Sequence, residues 1–119
     1  MILHFDEVMR ECAEPNWDGY NALPASPISL FYAQQLSELL PSDCPKPDIG
    51  CDPDGSLNFD WRNGKMRAVS VSAGVNGRMA YAALFDEQSE SGTEPIDVLG
   101  VNKIVNLVKR CLAIQVSKQ

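Results

Sequence analysis

The stretch Leu57-Asn58-Phe59-Asp60-Trp61-Arg62-Asn63-Gly64-Lys65-Met66-Arg67-Ala68 decides the fold. Leu57, Phe59 and Trp61 alternate with Asn58, Asp60 and Arg62, which is the period of a half-buried strand. Asn63-Gly64 is the strongest short hairpin signal, because a type I′ turn wants positive φ at both central residues. A two-residue loop there pairs Arg62 with Lys65, Trp61 with Met66, Asp60 with Arg67 and Phe59 with Ala68. That register predicts one apolar face of Leu57, Phe59, Trp61, Met66 and Ala68, with Asp60 opposite Arg67 on the other.

Working outward, Ile49 and Cys51 alternate with polar neighbours. They precede the turn Asp52-Pro53-Asp54-Gly55, where Pro presets φ and Gly accepts the left-handed region. Downstream, Gly74-Val75-Asn76-Gly77 turns the chain into residues 78–85, where Met79, Tyr81, Ala83 and Phe85 alternate with smaller side chains. These segments predict a four-stranded antiparallel meander. The segment 86–97, with five carboxylates and no basic residue, reads as an exposed loop.

Three helices complete the pattern. Residues 2–14 place Ile2, Phe5, Val8, Met9 and Cys12 on one stripe, ended by Pro15. Ser26 is a good N-cap and Pro27 suits the first helical position. Ile28, Phe31, Tyr32, Leu36, Leu39 and Leu40 form the predicted buried stripe, and Pro41 stops that helix. A final helix carries Ile104, Leu107, Val108, Cys111 and Leu112. Thr93 is its expected cap, with Pro95 in the first turn and Glu94 and Asp97 facing the positive dipole end; Gly100 weakens or displaces its start. The expected class is α+β: a four-stranded antiparallel meander with two N-terminal helices and one C-terminal helix packed on one face.

At 119 residues the chain has the size of one domain, residues 1–119, and its 45% hydrophobic content supports a core. Four cysteines, at 12, 44, 51 and 111, include no C-x-x-C pair, so reduced thiols in a cytoplasmic protein are expected. The first residues do not read as a signal peptide, and no apolar run approaches the ~20 residues that span a bilayer. Net charge is −6, unevenly placed. Residues 1–62 hold eleven acidic and three basic groups (−8), whereas residues 63–119 hold five and seven (+2). The balance disfavours direct nucleic-acid binding, which needs clustered Lys and Arg, and suits a protein partner with a basic surface.

Chemistry-bearing constellations are sparse. His4 is the sole histidine and has no nucleophile or orienting partner in a recognisable setting. Asp52-Pro53-Asp54-Gly55-Ser56 lacks the spacing of a calcium loop and reads as a turn. Gly74-x-x-Gly77 precedes a strand, so no helix N-terminus faces a phosphate there. No catalytic residue, metal ligand or cofactor site is assigned. Asn16-Trp17-Asp18-Gly19-Tyr20 admits two readings: an aromatic docking tip, or a loop whose aromatics lie on the core while Asp18 caps its amides.

Asn16-Trp17-Asp18-Gly19-Tyr20, followed by Ala22, Pro24, Pro27, Pro53-Asp54-Gly55-Ser56, Trp61 and Gly92-Thr93-Glu94-Pro95, resembles a group of short bacterial proteins. These open with an N-W-D-G-Y segment before a helix, and the resemblance covers roughly residues 14–110. It implies a bacterial or phage setting and a free-standing small domain, and transfers no catalytic residue.

The resulting expectation is a small acidic, non-enzymatic protein-binding module, of the kind that inhibits a basic partner as an antitoxin does. Its candidate contact residues are Trp17, Asp18, Tyr20, Asp86, Glu87, Glu90 and Glu94. The alternative is a small hydrolase using convergent carboxylates such as Asp18, Asp54, Asp60 and Glu94, with a metal. A third option is a homodimer that pairs strand edges or helix faces.

Overall fold

The computed structural model describes residues 1–113. Five strands form one antiparallel sheet in chain order: β1 (Asp48–Cys51), β2 (Leu57–Arg62), β3 (Arg67–Ala73), β4 (Arg78–Phe85) and β5 (Gln88–Pro95). The helices are α1 (Asp6–Glu11), α2 (Pro27–Leu39) and α3 (Val98–Leu112). No helix among the described residues is long and apolar enough to cross a membrane.

The hairpin that announces the sheet has a different register from the one its turn residues suggest. Arg62 pairs with Ala68, Trp61 with Val69, Asp60 with Ser70 and Phe59 with Val71. The loop closes through Asn63 N–H donating to Arg67 O (2.9 Å), and only Gly64 of the Asn-Gly pair has positive φ. The three-residue slip is odd, so it turns every β3 side chain to the opposite face. Val69, Val71 and Ala73 are buried beside Leu57, Phe59 and Trp61, while Met66 stands half-exposed. Fully burying one valine contributes about 1.5–3 kcal/mol, and two valines outweigh a turn preference. Asp60 meets the Ser70 hydroxyl and Arg62, whereas Arg67 reaches Asp86 (3.3 Å) and the last carbonyls of α3.

The expected loop at 86–97 is largely strand β5, the fifth strand and one edge of the sheet. Phe85 pairs with Gln88 across the two-residue turn Asp86-Glu87, with Asp86 at φ 59°. Asp86 N–H also donates to Met66 O (2.7 Å), joining this turn to the β2–β3 loop. Thr93 does not cap α3; its hydroxyl faces the Arg78 guanidinium (3.1 Å). Asp97 is the cap, accepting from Gly100 N–H at 2.8 Å. Gly100 lies inside the helix, at a position where a Cβ would collide with Pro95 O.

The helix layer also departs from expectation. The first helix is six residues long and contacts β1, and residues 1–5 ahead of it are not in the expected helix. Leu3 and Phe5 are buried with period two, and Ser37 Oγ donates to Met1 O (2.7 Å), holding this segment along α2. Helix α2 packs on β2 and β3, and α3 crosses β2 to β5. Phe59 anchors the core beneath them, edge-on to Phe5 and stacked on Trp61.

The orientation of α2 is the main correction. Its buried side is Ser29, Ala33, Leu36 and Ser37, followed by Leu40, not the stripe through Ile28 and Phe31. Ser29 decides this: fully buried, it donates to Ala73 O (2.7 Å) and accepts from Leu57 N–H (2.8 Å). Both backbone groups lie at the last paired positions of β2 and β3, so the hydroxyl supplies bonds that the ladder lacks there. Small side chains at 29, 33 and 37 let the helix approach the sheet closely. Ile28 and Phe31 are consequently turned outward, 55% and 54% exposed.

Candidate functional site

The seven contact residues read from the sequence do not converge. Trp17, Asp18 and Tyr20 lie beside the β1–β2 turn, at the sheet end that also carries the β3–β4 turn. Asp86 and Glu87 form the β4–β5 turn at the opposite end, and Glu90 lies midway along β5. Glu94 pairs with Met79, at the same end as the Trp17 loop. Four strand steps of about 4.8 Å still put it roughly 19 Å across the sheet from β1.

The Asn16–Tyr20 loop is built from its own side chains. Asp18 Oδ1 accepts from Tyr20 N–H (2.8 Å) and Ala22 N–H (3.1 Å). Asn16 Oδ1 accepts from Asn21 N–H (2.7 Å), and Asn16, Gly19 and Asn21 all have positive φ. Trp17 packs on the core, with its indole N–H donating to Leu23 O (2.7 Å). Trp17 and Asp18 thus shape the loop, and Tyr20, 87% exposed, is its projecting side chain. The return leg rests on the β1–β2 turn through Leu23 N–H to Pro53 O (2.7 Å) and Ser26 N–H to Gly55 O (2.8 Å). Gly55 (φ 90°) allows this approach, since a Cβ there would meet Pro24 O at 2.6 Å.

Asp86, Glu90, Glu94 and Asp97 have local partners. Asp86 pairs with Arg67, and Glu94 pairs with Lys103 at 3.5 Å. Tyr81 and Glu94 hold the Lys103 ammonium above its usual pKa, and the same ammonium lies 5.6 Å from the Tyr81 ring centroid. Tyr81 OH points to Glu90 at 3.5 Å. Glu90, Gly92 and Glu94 therefore lie on the helix-facing side of β5, while Ser89, Ser91 and Thr93 share its other side. On β2, Asp60 accepts from Ser70 and Arg62; nearby, Asp52 accepts from Asn58 (2.7 Å) and Ser72 (2.6 Å). Asp18, Asp54, Asp60 and Glu94 each close a local network instead of sharing a pocket. Among the described residues no three His, Cys, Asp or Glu side chains stand where they could hold a metal ion. His4 lies at a surface groove of about 490 Å³ between the N-terminal segment and α2, with Asp6, Gln34 and Glu38 around it.

Beyond Tyr20, the exposed side chains not singled out from the sequence are apolar: Leu23, Ile28, Phe31, Val75, Val98 and Leu99 are large and left in solvent, Leu99 at 80%. They belong to segments meeting at the end of the sheet that bears the β1–β2 and β3–β4 turns. Tyr32 lies 3.5 Å from the Cβ position of Gly77 and packs edge-on against Phe31 (5.1 Å between centroids). Ile96 N–H donates to Gly77 O (2.9 Å), bringing the start of α3 to the same turn. Asp18, Asp54, Glu94 and Asp97 belong to segments at the same end of the sheet. The pattern Val98-Leu99 ahead of a buried Val101 signals one apolar pair too many for the helix's inner face. On α2, the serines at 29 and 37 are the missed signal.

Comparison with family models, curated proteins and solved structures finds no match for the chain.

Proposed function

We propose that this chain is a protein-binding module whose docking surface is the apolar, acid-rimmed end built by Tyr20, Leu23, Ile28, Phe31, Val75, Val98 and Leu99. The observation that carries the reading is α2, which buries Ser29, Ala33 and Ser37 while leaving Ile28 and Phe31 in water. Covering the remaining half of such a side chain contributes about 1–1.5 kcal/mol, a gain open to association that folding here leaves unused. Aromatic anchors within a polar rim are the usual energetic centre of an interface. The carboxylates at the rim and the net charge of −6 favour a partner presenting Lys or Arg around an apolar patch. An inhibitor-like role against a basic protein fits that chemistry. The hydrolase alternative gains nothing from carboxylates engaged in separate local networks.

The reading is tested by immobilising the purified protein and passing native-host extract at low and raised ionic strength. One stoichiometric basic partner should be retained and should weaken as salt screens the rim. Phe31→Arg with Leu99→Arg should abolish retention without lowering thermal stability, while Met66→Arg at the opposite end should leave it intact. Retention by the double variant, or no stoichiometric partner at all, would overturn the proposal.

A further inference from the structure

Strand β5 ends the sheet, and among the described residues no strand lies beyond it. The direction of its backbone groups follows from printed neighbours of the ladder. Asp86 N–H donates to Met66 O and Gly74 N–H to Arg78 O, so the even-numbered residues of β4 bond to β3. The odd-numbered residues of β4 therefore bond to β5, through the pairs Phe85–Gln88, Ala83–Glu90, Tyr81–Gly92 and Met79–Glu94. Ile96 N–H to Gly77 O continues that series. It follows that Ser89, Ser91 and Thr93, all exposed, direct their N–H and C=O groups away from β4.

Sheet edges are ordinarily blunted by lysine, a bulge or an interior proline. In β5 the register is unbroken, no residue is basic, and the single proline stands last. The inward carboxylates Glu90 and Glu94 face Tyr81 OH and the Lys103 ammonium. The opposite edge, β1, has only four residues and lies against α1.

We propose that β5 is a self-association edge: two copies of this chain pair antiparallel through residues 88–94, centred on Ser91, and join their sheets into one. The charges of the strand select both the occupant and the register. Centred on Ser91, the pairing sets Ser91 against its own counterpart and Ser89 against Thr93 of the second copy, closing about six backbone hydrogen bonds. Glu90 then faces Gly92 and Glu94 faces the Gln88 amide, so no two carboxylates stand directly opposite, and the hydroxyls line up on the helix-free side. A two-fold axis at Glu90 opposes two Glu90 carboxylates, and one at Gly92 opposes Glu90 to Glu94. An axis at Thr93 brings Pro95, which has no N–H, against Ser91, and one at Ser89 runs into the turn Asp86-Glu87. A strand pair of this length buries less than about 1,200 Å², so the dimer should be weak, with Kd on the order of micromolar or above. Each copy carries a net charge of −6, so added salt should tighten the dimer, the reverse of its effect on a basic partner. The edge is independent of the apolar docking end.

Sedimentation velocity of the full chain, from micromolar to millimolar concentration, should show a monomer converting to a dimer. Ser91→Pro removes the outward N–H at the axis and leaves the bonds to β4 in place; it should stay monomeric, with the melting temperature of the dilute protein little changed. Ser91→Cys should cross-link to its own counterpart in oxidised glutathione, because a hydrogen-bonded antiparallel pair sets the Cα atoms about 5.5 Å apart, within disulfide range. Ser89→Cys, whose counterpart is displaced along the strand, should not. A chain that is monomeric at millimolar concentration, dimers of Ser91→Pro, or cross-linking at 89 in preference to 91 would overturn the proposal. Should Ser91→Pro fail to fold, the two cysteine variants decide.

Discussion

Ser29→Ala removes one oxygen and tests whether the sheet dictates how α2 sits. Ser29 Oγ links Ala73 O (2.7 Å) to Leu57 N–H (2.8 Å), and the residue is 0% exposed. Alanine leaves a buried donor and a buried acceptor without partners, each at about 1–3 kcal/mol. Alanine's better helix propensity returns about 0.5 kcal/mol. The net loss is about 1.5–5.5 kcal/mol, and at roughly 4 °C per kcal/mol the melting temperature should fall by roughly 6–22 °C. Urea unfolding, followed by circular dichroism and by fluorescence of the buried Trp61, measures it directly. The midpoint should drop with the slope unchanged. A loss below about 0.5 kcal/mol would mean that water or relaxation replaces both bonds, and would refute the claim that Ser29 orients the helix.

Three further substitutions probe separate joints. Val71→Ser should cost about 2–3 kcal/mol, while Met66→Ser should stay within about 0.5 kcal/mol; the reverse ranking in urea unfolding would restore the two-residue hairpin register. Asp18→Ala should cost about 1 kcal/mol by freeing the Tyr20 and Ala22 amides, whereas Tyr20→Ala should leave the melting temperature unchanged. Equal effects would show that Tyr20 belongs to the core. Gly100→Ala, normally favourable in a helix, should destabilise by more than about 1 kcal/mol because its methyl meets Pro95 O. A stabilised variant would contradict the close approach of α3 to the end of β5.

The alternation of residues 48–51, 57–62 and 78–85 made those strands legible, and the turns at 52–55 and 74–77 lie where their Pro, Gly and Asn residues indicate. At 63–68 two local signals conflicted. The Asn-Gly pair argued for a tight turn, while Val69, Val71 and Ala73 against Ser70 and Ser72 argued for the opposite face. Burial of the valines decided, and the loop lengthened to accommodate it. Strand β5 was illegible because an edge strand needs no apolar face; Gln88 to Pro95 carries only an alternation of hydroxyls with glutamates and glycine. The shortened α1 reflects Leu3 and Phe5, whose burial suits an extended chain as well as a helix.

The candidate site was legible only at the Asn16–Tyr20 loop, and there the sequence could not separate capping from docking. Asp18 and Trp17 prove to be bonded within the loop, leaving Tyr20 outward. The exposed Ile28 and Phe31 were hidden by the habit of assigning large apolar side chains to a helix's inner face. Ser29, bonded to sheet backbone, and Ser37, bonded to Met1 O, reverse that assignment, an effect of tertiary contacts that helical periodicity does not register.

The central claim is that partners dock at the apolar end near residues 20–31, 74–77 and 97–99. Amide hydrogen exchange of the captured complex, compared with the free protein, tests it most directly. Slowed exchange confined to those segments is the predicted result. Slowed exchange at 63–66 and 86–90 with those segments unchanged would contradict it.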